Sequence, residues 1–188
     1  MYLENVVFDA TNPQALGRLW ESRLGTETLT DVAEGFETRL EVPGWPYLDL
    51  CFQRVPDEPT APQRLRLDVT GEPETLAALV LESADPARDR EFWAWLTGWS
   101  PVDGDGAVLR HPSLHGPVLE LVPERAAKGA EKNPVHLDVR LEAEDADAVA
   151  EAIADHGGRE LHLGYGDLPW RHYADPSGNE LCVLRAHS

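Results

Sequence analysis

The feature that most constrains this chain is that it repeats itself. Residues 8–25, FDATNPQALGRLWESRLG, lie without gaps over residues 81–98, LESADPARDREFWAWLTG, so that Pro13 meets Pro86, Leu19 meets Phe92, Trp20 meets Trp93 and Gly25 meets Gly98. A pattern carried more than once requires a fold that uses one supersecondary unit more than once. Each copy reads as a strand, a helix cap (Asn12 or Asp85), a proline at the first helical position, an amphipathic helix and a closing glycine. Short alternating segments punctuated by Gly and Pro follow each helix, and each copy leaves through a similar strand, LDLCFQRVPDEP at 48–59 and VLELVPER at 118–125. Each copy is therefore a βαβββ unit.

A further correspondence sets LRLDV at 65–69 against VHLDV at 135–139. The second of these opens another unit, with a helix around Ala146, Val149, Ala150 and Ile153, a Gly157-Gly158 stop and strands running to Leu184. The first looks like a unit cut short after one strand, because GEPETLAAL leads straight into the next copy. The expected organisation is residues 1–76 as one unit plus a truncated second (a strand about 64–70), followed by residues 77–188 as a complete pair, with units at about 77–125 and 133–188. PDEPTAPQ and PERAAKGAEKNP, rich in Pro, Ala and charge, read as connectors.

At 188 residues the chain can bury a hydrophobic core without help from disulfides or metal. Thirty-four acidic against 16 basic residues give a formal charge of -18, which repels a phosphate backbone or an anionic membrane surface. Nucleic acid and membrane are therefore not expected partners. MYLENVVFDATNP lacks a basic segment followed by an apolar one, and no run reaches membrane-spanning length, so a soluble, cytoplasmic protein is expected. Cys51 and Cys182 form no CxxC pattern and suggest neither a disulfide framework nor a zinc knuckle.

Paired βαβββ units, a helix opened by an Asn-Pro or Asp-Pro step, KNPVHLDV opening a unit and DPSGNELCVL at 175–184 together resemble the vicinal oxygen chelate superfamily, which includes glyoxalases, bleomycin-resistance proteins and dioxygenases. The glyoxalase-like subgroup is the most similar. The resemblance implies an α+β fold in which curved mixed sheets form a cup and helices cover the outer side. DPSGN also has a purely structural explanation, since Pro176 presets a turn, Gly178 tolerates positive φ, and Asp175 and Asn179 can bond nearby backbone. Alternation in the strands fits a cup: Val135, Leu137, Val139 and Leu141 make one face, leaving His136, Asp138 and Arg140 on the other.

In metal-dependent relatives the resemblance implies one ligand on the first and one on the last strand of each paired unit. In the pair at 77–188 those positions fall on Val80, Glu120, His136 and Cys182. Glu120 and His136 fit as ligands, Val80 cannot ligate, and Cys182 puts a soft thiolate donor where a hard carboxylate is expected. The matching positions of the first unit and the isolated strand are Val7, Gln53 and Arg66. The expected function is small-molecule binding in the cup by Val80, Glu120, His136, Asp138, Glu180 and Cys182, with an incomplete metal site and no cofactor. The alternative is a lyase, isomerase or dioxygenase using one divalent metal ion on Glu120 and His136, which would then also be the catalytic pair. His136 reads more simply as a hydrogen-bonded pocket-wall histidine, and Cys182 as a small buried pocket residue rather than a nucleophile. Trp45, Trp93, Trp95, Trp99 and Trp170 could line a pocket, although Trp93 and at least one of Trp95 and Trp99 read more simply as core. The odd number of units leaves one sheet without its partner, so a homodimer is expected.

Overall fold

The computed structural model describes residues 1–102, 106–164 and 168–187. Unit one comprises β1 (Tyr2–Ala10), α1 (Pro13–Leu24), β2 (Glu27–Val32), β3 (Gly35–Leu40) and β4 (Leu48–Arg54). The isolated strand is β5 (Leu65–Thr70), and unit two comprises β6 (Thr75–Ser83), α2 (Pro86–Thr97), β7 (Ser100–Pro101), β8 (Val108–Arg110) and β9 (Val118–Pro123). Unit three comprises β10 (Val135–Arg140), α3 (Ala146–Asp155), β11 (Arg159–Leu161), β12 (Trp170–Ala174) and β13 (Glu180–Leu184).

The repeated helices begin as their sequences require. The Asn12 side chain accepts from Ala15 N at 3.1 Å, the Asp85 side chain accepts from Arg88 N at 3.2 Å, and each cap is followed by proline. Gly25 and Gly98 close the two helices in the left-handed region. Gly17 lets α1 approach β3 closely, since a Cβ there would lie 2.1 Å from the Phe36 ring. No helix among the described residues is long and apolar enough to cross a membrane.

Two mixed sheets form. The larger has eight strands in the order β11-β12-β13-β10-β1-β4-β3-β2, and the smaller has five in the order β5-β6-β9-β8-β7. The fold class is thus the α+β cup architecture expected, but the pairing of units is not. Residues 133–188 do not share a sheet with residues 77–125; unit three joins unit one through antiparallel β1 and β10, in the register Val6↔Leu137 and Val7↔His136.

Strand edges account for the difference. β6 has two, and one is taken by β9 of its own unit. The other is taken by β5, which returns into β6 through only four residues, Gly71 to Glu74, and pairs with it antiparallel from Leu65↔Leu81 to Thr70↔Thr75. Such a short connection closes at small entropic cost and favours the local antiparallel ladder. With both edges of β6 filled, β10 pairs with β1.

One apolar core serves both sheets, taking Val135, Leu137 and Val139 from β10, Leu79 and Leu81 from β6, and Trp93 from α2. The DPSGN turn fastens the two sheets together. Asp175 Oδ1 accepts from the backbone N–H of Ser177 and Asn179 at 2.9 and 2.8 Å, while Oδ2 accepts from Asn179 Nδ2 at 2.9 Å and Trp93 Nε1 at 3.2 Å. Asn179 Oδ1 in turn accepts from Arg64 Nε at 2.7 Å, and Asn179 Nδ2 donates to the Glu82 carbonyl at 2.9 Å. The motif therefore bonds across units as well as within its own turn. Asp175→Asn would turn an amide N–H towards groups that are themselves donors. The variant should lose about 2–4 kcal/mol of unfolding free energy in urea titrations; a loss below about 0.5 kcal/mol would contradict this account of the turn.

Candidate functional site

The concave face of the eight-stranded sheet lines an open cavity of about 880 Å³. Alternation fixes what faces it. On β10 the odd-numbered residues enter the core and His136, Asp138 and Arg140 face the cup. On β13, Cys182 pairs in register with Asp138, and on β1, Asn5 pairs with Asp138 and Val7 with His136. β4 adds Cys51, the register partner of Val7, and β12 adds Trp170 and His172.

His136, Asp138 and Cys182 form a tight cluster on the cup floor, each at most 6% exposed. His136 Nε2 lies 3.4 Å from Asp138 Oδ1 and 3.6 Å from Cys182 Sγ. Asn5 Nδ2 donates to the other carboxylate oxygen, Oδ2, at 3.3 Å. Asp138 Oδ1 and His136 Nδ1 are buried without a hydrogen-bond partner.

Desolvation dominates the electrostatics here. Burial pushes His136 down to about 3, with Lys132 and His172 adding to the effect, so the imidazole is neutral at cellular pH. Burial likewise pushes Asp138 up to about 7, and it raises the Cys182 thiol, with Asp138 reinforcing that rise. After burial, Asp138 is the neighbour that acts most on Cys182. Glu180, two residues before Cys182, is bound to Lys128 Nζ at 3.0 Å and to Asn133 N at 3.1 Å. Cys51 is also raised, by burial and then by Glu37, to which its thiol donates at 3.4 Å.

The expected site residues are thus divided. His136, Asp138, Cys182 and Glu180 line the cup. Val80 and Glu120 do not: they are register partners of each other in the five-stranded sheet, and the grouping of Glu120 with His136 as catalytic or metal-binding pair is corrected by the sheet order. The positions facing unit three come from unit one, where Val7 flanks His136 and Cys51 flanks Val7, while Gln53 sits opposite Asp9 and donates to it. Val7 has no donor atom and Cys51 is engaged by Glu37, so the described residues do not provide the four-ligand, two-unit arrangement of metal-dependent relatives. Trp170 lines the cup, Trp93 and Trp99 are core, and Trp45 packs edge-on against Trp99 with ring centroids 6.4 Å apart. Asn5 and Cys51 were missed as cup residues by sequence reasoning; both follow from alternation once β1 is known to be a central strand.

The glyoxalase-like domain family matches residues 5–81 and 78–184, and the chain belongs to that family within the vicinal oxygen chelate superfamily. No curated protein matches the chain in sequence. Among solved structures, maize (Zea mays) glyoxalase I is similar at 19% identity over 98% of this chain and 68% of its own, with a TM-score of 0.41. A putative dioxygenase from Bacillus subtilis is similar at 14% identity over 100% of this chain and 63% of its own, with a TM-score of 0.43. A glyoxalase/bleomycin resistance protein/dioxygenase family enzyme from Burkholderia phytofirmans is similar at 11% identity over 60% of this chain and 99% of its own, with a TM-score of 0.47. The chain thus spans about two thirds of the two larger structures.

The opposed titrations on the cup floor give a signed expectation. Ionised Asp138 costs folding free energy above its unfolded value of 3.8, a cost that disappears as pH falls through about 7 towards 4. In EDTA, Asp138→Asn should be more stable than the native protein at pH 8, and denaturant titrations should show that advantage shrinking as pH is lowered to 4. A pH-independent difference would contradict the buried-carboxyl assignment.

Proposed function

We propose that this protein binds a small, largely apolar molecule in the cup of the eight-stranded sheet. The observation that carries the reading is the cavity of about 880 Å³, a volume suited to a drug-sized ligand, with a polar floor of His136, Asp138 and Cys182. Val7, Val32, Phe36, Leu168 and Trp170 supply apolar and aromatic wall. Neutral imidazole and a carboxyl group near its titration point can donate or accept hydrogen bonds without presenting a fixed charge, which suits an uncharged ligand. Two of the cations at the cup are matched within the protein: Lys132 Nζ bonds both oxygens of Asp9, and Arg140 Nε bonds Glu4 at 2.5 Å.

The test is a fluorescence and thermal-shift screen of neutral aromatic compounds against the native protein and Val7→Phe, which places a ring on the cup floor. Hits should raise the melting temperature of the native protein and lose at least about tenfold in affinity in the variant, equivalent to about 1.4 kcal/mol. Compounds that bind both proteins equally would place binding outside the cup and overturn the reading.

A further inference from the structure

We propose that His136, Asp138 and Cys182 form a three-donor zinc(II) site within unit three, with its fourth coordination position open to the cup. The geometry is the first argument. Zinc bonds of about 2.3 Å to sulfur and about 2.0–2.1 Å to nitrogen and oxygen, set at tetrahedral angles, require N···S edges of about 3.6 Å and N···O edges of about 3.3 Å. His136 Nε2 stands 3.6 Å from Cys182 Sγ and 3.4 Å from Asp138 Oδ1, and all three donor atoms lie within 4.8 Å of one another. Strand register brings the three side chains together, since Asp138 and Cys182 are partners on β10 and β13 and His136 precedes Asp138 by one cup-facing position.

Hydrogen bonding is the second argument. Asp138 Oδ1 is a buried acceptor with no hydrogen-bond partner, although it lies beside His136 Nε2. Asn5 holds Oδ2 at 3.3 Å, which turns Oδ1 towards the other two donors, the kind of outer contact that orients a metal ligand. A cation bound to Nε2, Oδ1 and Sγ satisfies that acceptor.

Donor chemistry and charge choose the ion. A thiolate, an imidazole and a carboxylate favour a borderline ion such as zinc over magnesium, calcium or manganese, which prefer oxygen. Zinc(II) with one thiolate, one carboxylate and a neutral imidazole sums to zero net charge, so the loaded site does not strand a charge in the interior. Binding sends the Cys182 thiol proton to solvent, together with the proton of any Asp138 carboxyl that is still protonated, and no other bond of the protein breaks. Opposite β10, unit one offers Val7 and Asn5 in register, and Val7 has no donor atom. The arrangement differs from the hard-ion site of metal-dependent relatives, whose ligands come from both paired units. Only the open position rests on the cup as a ligand site; the three-donor site does not. A neutral ligand bearing a hydroxyl or carbonyl oxygen completes the coordination.

Cobalt(II) titration of EDTA-stripped, tag-free, full-length protein provides the test, with zinc as competitor. One equivalent of cobalt should develop a thiolate-to-cobalt charge-transfer band and the intense visible bands of tetrahedral cobalt, and zinc should abolish both while millimolar magnesium does not. Cys182→Ser should lose the charge-transfer band, Asp138→Asn should weaken cobalt binding at least tenfold, and Cys51→Ser and Glu120→Gln should leave the spectrum unchanged. Circular dichroism confirms that each variant is folded, and if Cys182→Ser fails to fold, Asp138→Asn and Cys51→Ser decide the question. Absence of a thiolate band in the native protein, its loss in Cys51→Ser, or equal competition by magnesium would overturn the zinc site. Neutral ligands that bind the cup of a protein taking up no cobalt would overturn this inference alone; cobalt uptake by a protein whose ligands ignore Val7→Phe would overturn the ligand reading alone.

Discussion

A β-strand has two edges, and the occupancy of those edges on β6 governs the rest of this molecule. β9 fills one as part of the same unit, and β5 fills the other through a four-residue return. Unit three is thereby directed to β1, more than a hundred residues earlier in the chain. Every feature of the cup follows from that long-range pairing: Val7 beside His136, Asn5 beside Asp138, and Glu120 on the other sheet. A strand that could be dismissed as the remnant of a lost unit decides where the binding surface forms.

The fastening between the sheets uses the other conspicuous motif. Asp175 gathers four donors and Asn179 reaches Arg64 and the Glu82 carbonyl, so the DPSGN turn joins unit three to α2 and to the chain on both sides of β5. Its bonds are buried and charge-assisted, which makes them strong where satisfied and expensive where broken. The same strand that leaves this turn carries Cys182 to the cup floor two residues after Glu180. Architecture and candidate chemistry are thus set within a few residues of each other.

Much of this was legible in the sequence, because it depends on local rules. The Asn12-Pro13 and Asp85-Pro86 helix starts, the glycine stops and the alternation of His136, Asp138 and Arg140 against Val135, Leu137 and Val139 each follow from short-range stereochemistry. The partnership of units was not legible by the same means, since adjacency in sequence favours pairing 77–125 with 133–188 and pairing across sheets is a contest for edges. A signal was present: Gly71 to Glu74 is too short for anything but a hairpin, and a hairpin there leaves β6 no edge for unit three. The site residues divide on the same point, for Glu120 is assigned to the cup by unit pairing and lies on the other sheet, whereas Asp138 is assigned by its face of β10 and lies in the cup.

The claim on which the account turns is that β1, and not β6, is the partner of β10. Backbone nuclear Overhauser contacts across the strands test it directly. The account predicts cross-strand contacts linking Val6 and Val7 to His136 and Leu137, together with contacts linking Leu65 to Leu81. Contacts from His136 to the β6 residues Leu79 and Val80, in place of Val6 and Val7, would contradict it.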